Sequence, residues 1–274
     1  MADQTAPRGR ADRDGPLPVL MFHSIGSPMP PALADLTVPP ALLDEQLGAL
    51  REHGWRLRGL TEALDDPAPD VLALTFDDGY RDFADAAVDV LDRYDARATL
   101  YVPSDDLGGH ASWMPPPADR LPVLGAADLR DLADLPERTV EIGSHGAQHV
   151  PMDVLPRATA TEHLARSKRV LEDATGRAVR SMCYPHGYHA AGLRRRVAAC
   201  GYDNACEIGH RLHARDGDRF AVSRVLVGPQ HDPDALLDLV AHGPAPLLPA
   251  VKRAAYPAWR WVRRAARRTG RNLT

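Results

Sequence analysis

The chain has 274 residues, 44% of them hydrophobic and 26% charged, with a formal net charge of −4, which is enough apolar material for one large core. Its three cysteines, Cys183, Cys200 and Cys206, exclude a disulfide framework and show no paired metal spacing. No apolar run reaches the ~20 residues needed to cross a bilayer as a helix.

Met1 to Gly15 is polar and charged and has no apolar stretch of the signal-peptide kind, which predicts a cytoplasmic protein. Leu17 to Phe22 is the first apolar run, and residues 18–22 are expected to be a strand. Gly26 to Pro40 is proline-rich and is expected to form a surface loop. Leu42 to His53, closed by Gly54, has helical periodicity. A buried strand is expected at 71–75, a helix over Phe83 to Tyr94 and a strand at 97–102. The long segment Pro103 to Gly125 contains Gly108-Gly109, Trp113 and Pro115-Pro116-Pro117, and reads as a second loop. Trp113 either offers its face to a sugar ring or packs its own loop. Beyond it come a helix over Asp128 to Leu135, a strand at 139–142, a helix over Pro156 to Thr175 closed by Gly176, and a strand at 179–184. A helix over Ala190 to Cys200, strands at 203–207 and 219–227, and a helix over Asp234 to His242 closed by Gly243 complete the series. Such alternation implies a parallel sheet covered by helices, an α/β fold. Periodicity does not say whether the sheet closes.

The last segment differs in charge. From Leu247 to Thr274 there are eight Lys or Arg and no Asp or Glu, so the rest of the chain carries −4 − 8 = −12. Val251, Ala255, Trp259, Val262 and Ala266 fall at helical spacing among Arg260, Arg263, Arg264, Arg267 and Arg268, with Pro257 as an interruption. A basic amphipathic helix of this kind suits an anionic membrane surface, and equally suits docking on the acidic body of its own chain. No nucleic-acid motif accompanies it, and no nucleic-acid partner is expected.

Two motifs carry chemistry. Asp77, Asp78 and Gly79 directly follow the run Val71-Leu72-Ala73-Leu74, which puts two acids at the C-terminal edge of a buried strand. Adjacent carboxylates there call for a cation or a shared proton. Further on, His145 and His149 also follow a strand-like run. If a helix begins there, both imidazoles share one face and can bind one metal. One carboxylate and two histidines would leave an open coordination position for a water, and the second acid would be free as a base. Alone, Asp-Asp-Gly is also a turn or a helix cap, and His-x-x-x-His is also a common structural spacing.

Thr75-Phe76-Asp77-Asp78-Gly79-Tyr80 and Ser144-His145-Gly146-Ala147-Gln148-His149 resemble the first two motifs of the polysaccharide deacetylases, the NodB-like enzymes of carbohydrate esterase family four. Cys183-Tyr184-Pro185-His186-Gly187 stands in the place of the third. There, Cys183 replaces an arginine that would orient the catalytic aspartate, and His186 replaces an aromatic residue. Val19-Leu20-Met21-Phe22-His23-Ser24-Ile25 is similar to the opening of the poly-N-acetylglucosamine deacetylase branch, whose motif order is circularly permuted. Ser223-Arg224-Val225-Leu226-Val227 is similar to a late strand of that branch. The resemblance runs from about Leu17 to about Leu239.

This resemblance implies a distorted (β/α) barrel of about seven strands over residues 17–246, between a polar segment 1–16 and the basic amphipathic segment 247–274. It implies a divalent metal on Asp78, His145 and His149, with zinc the first expectation and Co2+ or Ni2+ as alternatives. Asp77 would be the base, His23 the general acid and the backbone N–H at His186 the oxyanion donor. Arg224 would either replace the missing arginine or be a surface ion-pair member. Tyr80, Tyr184, Pro185 and Gly187, with Trp113, would contact substrate. The implied reaction removes N-acetyl groups from N-acetylated amino sugars such as N-acetylglucosamine, in a polysaccharide, an oligosaccharide or a lipid-linked glycan. Peripheral attachment at the inner membrane surface through the basic segment goes with this. Another metal-dependent amide or O-acetyl ester hydrolase, or a catalytically impaired carbohydrate-binding relative, are the alternatives.

Overall fold

The runs Val19–Phe22, Val71–Phe76 and Ala98–Val102 are buried at every position. Strands with no exposed face belong to a parallel sheet wrapped by helices, and the computed structural model has that architecture. It describes residues 15–136, 139–244, 259, 262 and 263. In chain order the strands are β1 (Val19–Phe22), β2 (Ser24–Ile25), β3 (Thr37–Val38), β4 (Arg56–Arg58), β5 (Val71–Phe76), β6 (Ala98–Val102), β7 (Val140–Ser144), β8 (Ser181–Cys183), β9 (Asn204–Gly209) and β10 (Val222–Leu226). The helices are α1 (Pro40–Glu52), α2 (Leu60–Asp65), α3 (Val88–Arg93), α4 (Ala126–Ala133), α5 (Arg157–Thr175), α6 (Ala191–Ala199) and α7 (Pro233–His242).

Seven strands close into a parallel barrel in the order β1, β10, β9, β8, β7, β6, β5. The seam is the β1–β5 pair, with Val19–Phe22 in register with Ala73–Phe76. β4 pairs with the first half of β5, and β6 pairs with Thr75 and Phe76 at its end. β2 and β3 form a separate two-stranded parallel ribbon. All barrel strands run the same way, so the segments after β1, β5, β7 and β8 emerge at one rim. That places His23, Asp77, Asp78, His145, His149 and His186 at the same end of the barrel.

Several signals in the sequence act as expected. Gly176 ends α5 at φ 66°, and its N–H donates to Glu172 O at 2.8 Å. Asp232 caps α7 by accepting from Ala235 N at 2.8 Å. Other expectations need correction. The helix expected over 83–94 is a π-helical turn, Phe83–Ala87, continued by α3. The strand expected from 219 begins at Val222, because Arg219 and Phe220 form a turn stapled by Asp218 Oδ1 accepting from Phe220 N. β4 and α2 carry no readable period, at three and six residues. The 103–125 segment is ordered by isolated bridges of Tyr80 with Val123 and His110 with Pro122. The expected segment 1–16 lies outside the described residues except for Gly15 and Pro16, and segment 247–274 except for Trp259, Val262 and Arg263. Among the described residues no helix is long and apolar enough to cross a membrane.

Candidate metal centre and catalytic site

Asp77 continues the barrel seam. Its backbone N–H donates to Phe22 O at 3.0 Å, so the residue is held as though β5 were one residue longer. The chain then turns through Asp78 at φ 75° and Gly79 at φ 64°. Asp78 therefore adopts a left-handed conformation that non-glycine residues rarely take, a strain that turns adjacent carboxylates in different directions. Gly79 has a second constraint, since a Cβ there would lie 2.8 Å from Val102 Cγ1.

His145 and His149 come together without a helix. His145 N donates to Val102 O at 2.9 Å, and Gly146 breaks the backbone direction at φ 81° while donating to Ser144 Oγ at 3.1 Å. A bend over 147–150 then returns His149 to the site. The two rings lie edge to face, 4.8 Å apart. Asp78 Oδ1 is 3.4 Å from His145 Nε2 and 3.3 Å from His149 Nε2.

This donor set fits a divalent cation. His145 Nδ1 lies 3.0 Å from Cys183 O, and because a carbonyl can only accept, that nitrogen carries the proton. The other ring nitrogen, Nε2, is the atom His145 turns toward Asp78; burial would lower this imidazole, but Asp78 and Asp77 raise it. Burial pushes His149 well below the ordinary imidazole value, so its Nε2 has a lone pair to give. Asp78 Oδ1 is buried with no hydrogen-bond partner. Burial alone would raise Asp78, but His149 and His145 hold it well below the carboxylate range. Lone pairs converging on an anionic oxygen repel unless a positive charge sits among them. A second cluster, Asp77, His145 and Cys183, also places its donor atoms within 4.8 Å of one another. There, a guanidinium already supplies the positive charge.

That guanidinium is Arg224, which is fully buried, and the surface ion-pair expectation is thereby corrected. Its NH1 donates to Asp77 Oδ1 and its NH2 to Asp77 Oδ2, both at 2.7 Å, in a two-pronged contact. NH1 also donates to Thr75 Oγ1 at 3.0 Å, Nε to Glu207 O at 3.0 Å, and NH2 to Cys183 Sγ at 3.0 Å. A register shift presents the Glu207 carbonyl. Val222 pairs with Cys206 but Arg224 with Gly209, so two steps on β10 face three on β9. Burial would raise Asp77, but Arg224 overrides it and holds the carboxyl down to about 2.

His23 Nε2 is 3.9 Å from Asp77 Oδ2. Burial lowers its pKa against the pull of Asp77 and Asp78, so the ring is neutral at rest. Ser24 Oγ donates to Asp82 Oδ2 at 2.5 Å and fastens the segment after β1 to the segment after β5. No motif marked Asp82 or Thr75 as a positioning residue. His186, at φ 58°, packs its ring against His149 at 4.5 Å, and burial pushes its imidazole down to about 4. Trp113 stacks on His149 at 5.2 Å and on Tyr80 at 6.5 Å, so it lines the site instead of packing only its own loop. Tyr80 is 1% exposed, and burial with Asp78 beside it drives its phenol far up. The third-motif residues expected to contact substrate take the following places. Tyr184 is 1% exposed and its hydroxyl donates to Phe220 O at 2.9 Å, while Pro185 is buried. Gly187, at φ 71°, is required because a Cβ would lie 2.8 Å from Ile208 N and Cγ1. These three flank His186 in the chain.

A cavity of about 740 Å³ lies at the other end of the barrel, lined by Thr61, Arg97, Glu141 and Arg180 among others. It contains none of the clustered donors, and that face of such barrels serves stability.

Comparison with known proteins shows the family and the fold. The family profile described as polysaccharide deacetylase matches residues 65–205, just over half of the chain. The match includes Asp77, Asp78, His145, His149 and His186 but neither His23 nor Arg224. The chain is 23% identical over 233 residues to YxkH of Bacillus subtilis (strain 168), assigned by name to the polysaccharide deacetylases, covering 83% of this chain and 77% of that protein. The Streptococcus pyogenes deacetylase PplD, solved in complex with acetate, superposes with a TM-score of 0.69 at 24% identity, over 83% of this chain and 99% of that one. IcaB from Ammonifex degensii gives 0.69 at 21% identity, over 82% of this chain and 96% of that one. Structural likeness at these identities establishes the fold.

Proposed function

We propose that this chain, which belongs to the polysaccharide deacetylase family, hydrolyses the N-acetyl groups of N-acetylated amino sugars in a polysaccharide, an oligosaccharide or a lipid-linked glycan. The observation that carries the proposal is the pairing of two different carboxylates at one strand end. Asp78 faces two histidine Nε2 atoms, while Asp77, its neighbour, is gripped by Arg224.

A divalent cation, zinc in the first instance, held by Asp78, His145 and His149 would acidify a water and polarise the acetamide carbonyl. Asp77 then takes the proton of the attacking water. Arg224 keeps both Asp77 oxygens in fixed positions and keeps the carboxyl ionised before the proton arrives. The backbone N–H at His186 donates to the developing oxyanion. His23 gives a proton to the departing amine, and Asp77, 3.9 Å from Nε2, is the group that supplies it. The products are acetate and a free amino sugar, and acetate is the molecule bound in the streptococcal structural neighbour. Trp113, stacked on His149, offers an aromatic surface to the sugar.

The test is acetate release from N-acetylglucosamine oligomers by metal-stripped protein, with zinc, cobalt or nothing added, beside Asp77→Asn. Release should return with metal, and Asp77→Asn should lower it by about 10²- to 10⁴-fold. Tight metal binding with no release from these oligomers, but release from O-acetyl esters, would replace the amide substrate with an ester.

A further inference from the structure

The catalytic rim includes two loops from different strands. The loop after β7 carries His145 and His149 and continues to Asp153. The loop after β8 carries His186 and continues to Tyr188. The two meet where His149 packs on His186, 4.5 Å between ring centres. Contact between two imidazoles is weak by itself, yet the proposed chemistry needs His149 and the His186 backbone held to a fraction of an ångström.

Arg263, far along the chain, reaches both loops. Its NH1 and NH2 donate to Asp153 Oδ1 and Oδ2 at 2.8 and 2.9 Å. Its guanidinium carbon lies 3.6 Å from the centre of the Tyr188 ring, and Trp259 Nε1 donates to Tyr188 Oη at 3.1 Å. Arg263 is 1% exposed and the Asp153 side chain 0%, so this ion pair is fully desolvated. A buried pair of this kind is costly to break, because the remaining partner is left as an uncompensated charge. Trp259 and Arg263 belong to the basic segment that composition alone suited equally to a membrane or to its own acidic body. Both are turned to the body of the chain.

We propose that Arg263 is a positioning residue that fastens the Asp153 loop to the Tyr188 loop, and so sets His149 against His186. The role requires arginine. One planar guanidinium can form the two-pronged contact in its plane and stack through its face, whereas a lysine ammonium keeps only the charge. The clamp is a property of the fold, and only its kinetic consequence rests on the deacetylase function proposed above.

The experiment uses full-length chains carrying Arg263→Gln, Arg263→Lys or Asp153→Asn, with Arg177→Gln, at an exposed pair with Asp134, as control. Amide hydrogen exchange is followed in residues 146–155 and 185–190, with β5 as the internal reference, and Co2+ affinity is measured without substrate. Arg263→Gln should accelerate exchange in both loops and leave β5 unchanged. It should weaken Co2+ binding by about 10- to 100-fold, the range for residues that orient metal ligands, and lower kcat by a similar factor. Arg263→Lys should release the Tyr188 loop and retain part of the protection at Asp153. Exchange unchanged in either loop, or raised equally in β5, overturns the clamp, the second result meaning only lost stability. If Arg263→Gln does not fold, Arg263→Lys decides, and unchanged exchange at 185–190 overturns the proposal. Exchange and metal affinity need no substrate, so a parent chain that releases no acetate would sink the deacetylase proposal and leave this one standing.

Discussion

At the scale of single residues, the arrangement around Asp77 separates holding a charge from supplying it. Cys183 occupies the position from which an arginine would reach the carboxylate, and its sulfur lies 3.5 Å from Asp77 Oδ2, too weak a donor to fix it. The charge comes instead from Arg224 on β10, whose NH2 lies between Asp77 Oδ2 and Cys183 Sγ, at 2.7 and 3.0 Å. Arg224→Lys keeps one positive charge but loses the fork, and kcat for acetate release should fall by about 10- to 100-fold with little change in KM. Cys183→Ala should cost much less. Steady-state kinetics on the two variants checks this, and a worse loss for Cys183→Ala would reverse the assignment. The sequence displayed Asp77, Asp78, His145 and His149 through contiguous motifs. The partner of Asp77 was less legible, because Arg224 lies 147 positions away and nothing local distinguishes a buried arginine from a surface one.

At the scale of elements, long runs were readable and short ones were not. β5 is six buried residues and α5 nineteen helical ones with a glycine stop, so propensity and pattern agree over enough length. β4 and α2 are held by tertiary contacts that no window over their own residues contains. Leu60 N, opening α2, donates to Thr99 Oγ1 on β6 at 2.7 Å, and Thr99 Oγ1 donates in turn to Glu141 Oε2 on β7 at 2.6 Å. Burial raises Glu141, and its threonine partners oppose that rise. Thr99→Val preserves shape but strands the buried Leu60 N–H and leaves Glu141 Oε2 with only the Thr61 N–H as donor. It should lower stability by about 2 kcal/mol in denaturant unfolding; a change below about 0.5 kcal/mol would mean that α2 does not depend on this link. The histidine pair shows the opposite lesson. Spacing suggested one helical face, but Gly146 at φ 81° makes a bend that reaches the same convergence by another route.

At the scale of the molecule, closing the barrel brings Asp77, His23 and Arg224 together, and this couples stability to pH. Asp77 titrates at about 2 in the folded chain against an ordinary 3.8. A depressed carboxyl stabilises the fold fully above its unfolded value, and the contribution disappears as pH falls through the folded one. On the order of 2 kcal/mol should therefore be lost between about pH 4 and pH 2. Asp77→Asn should be less stable than the parent at neutral pH, with the difference shrinking toward pH 2, as chemical denaturation across that range would show. A difference independent of pH would detach the effect from the Arg224 pair. By itself, the sequence determined the βα alternation, the acids and histidines at strand ends and the resemblance to a deacetylase family, because each is written in contiguous residues whose local physics is self-contained. Only the tertiary structure decided that the sheet closes through β1 and β5, that Arg224 serves Asp77, and that Trp259 and Arg263 face the chain's own body. Those facts depend on which distant groups share a dry interior, where an unpaired charge is too costly to leave, and no local pattern of residues records that pairing.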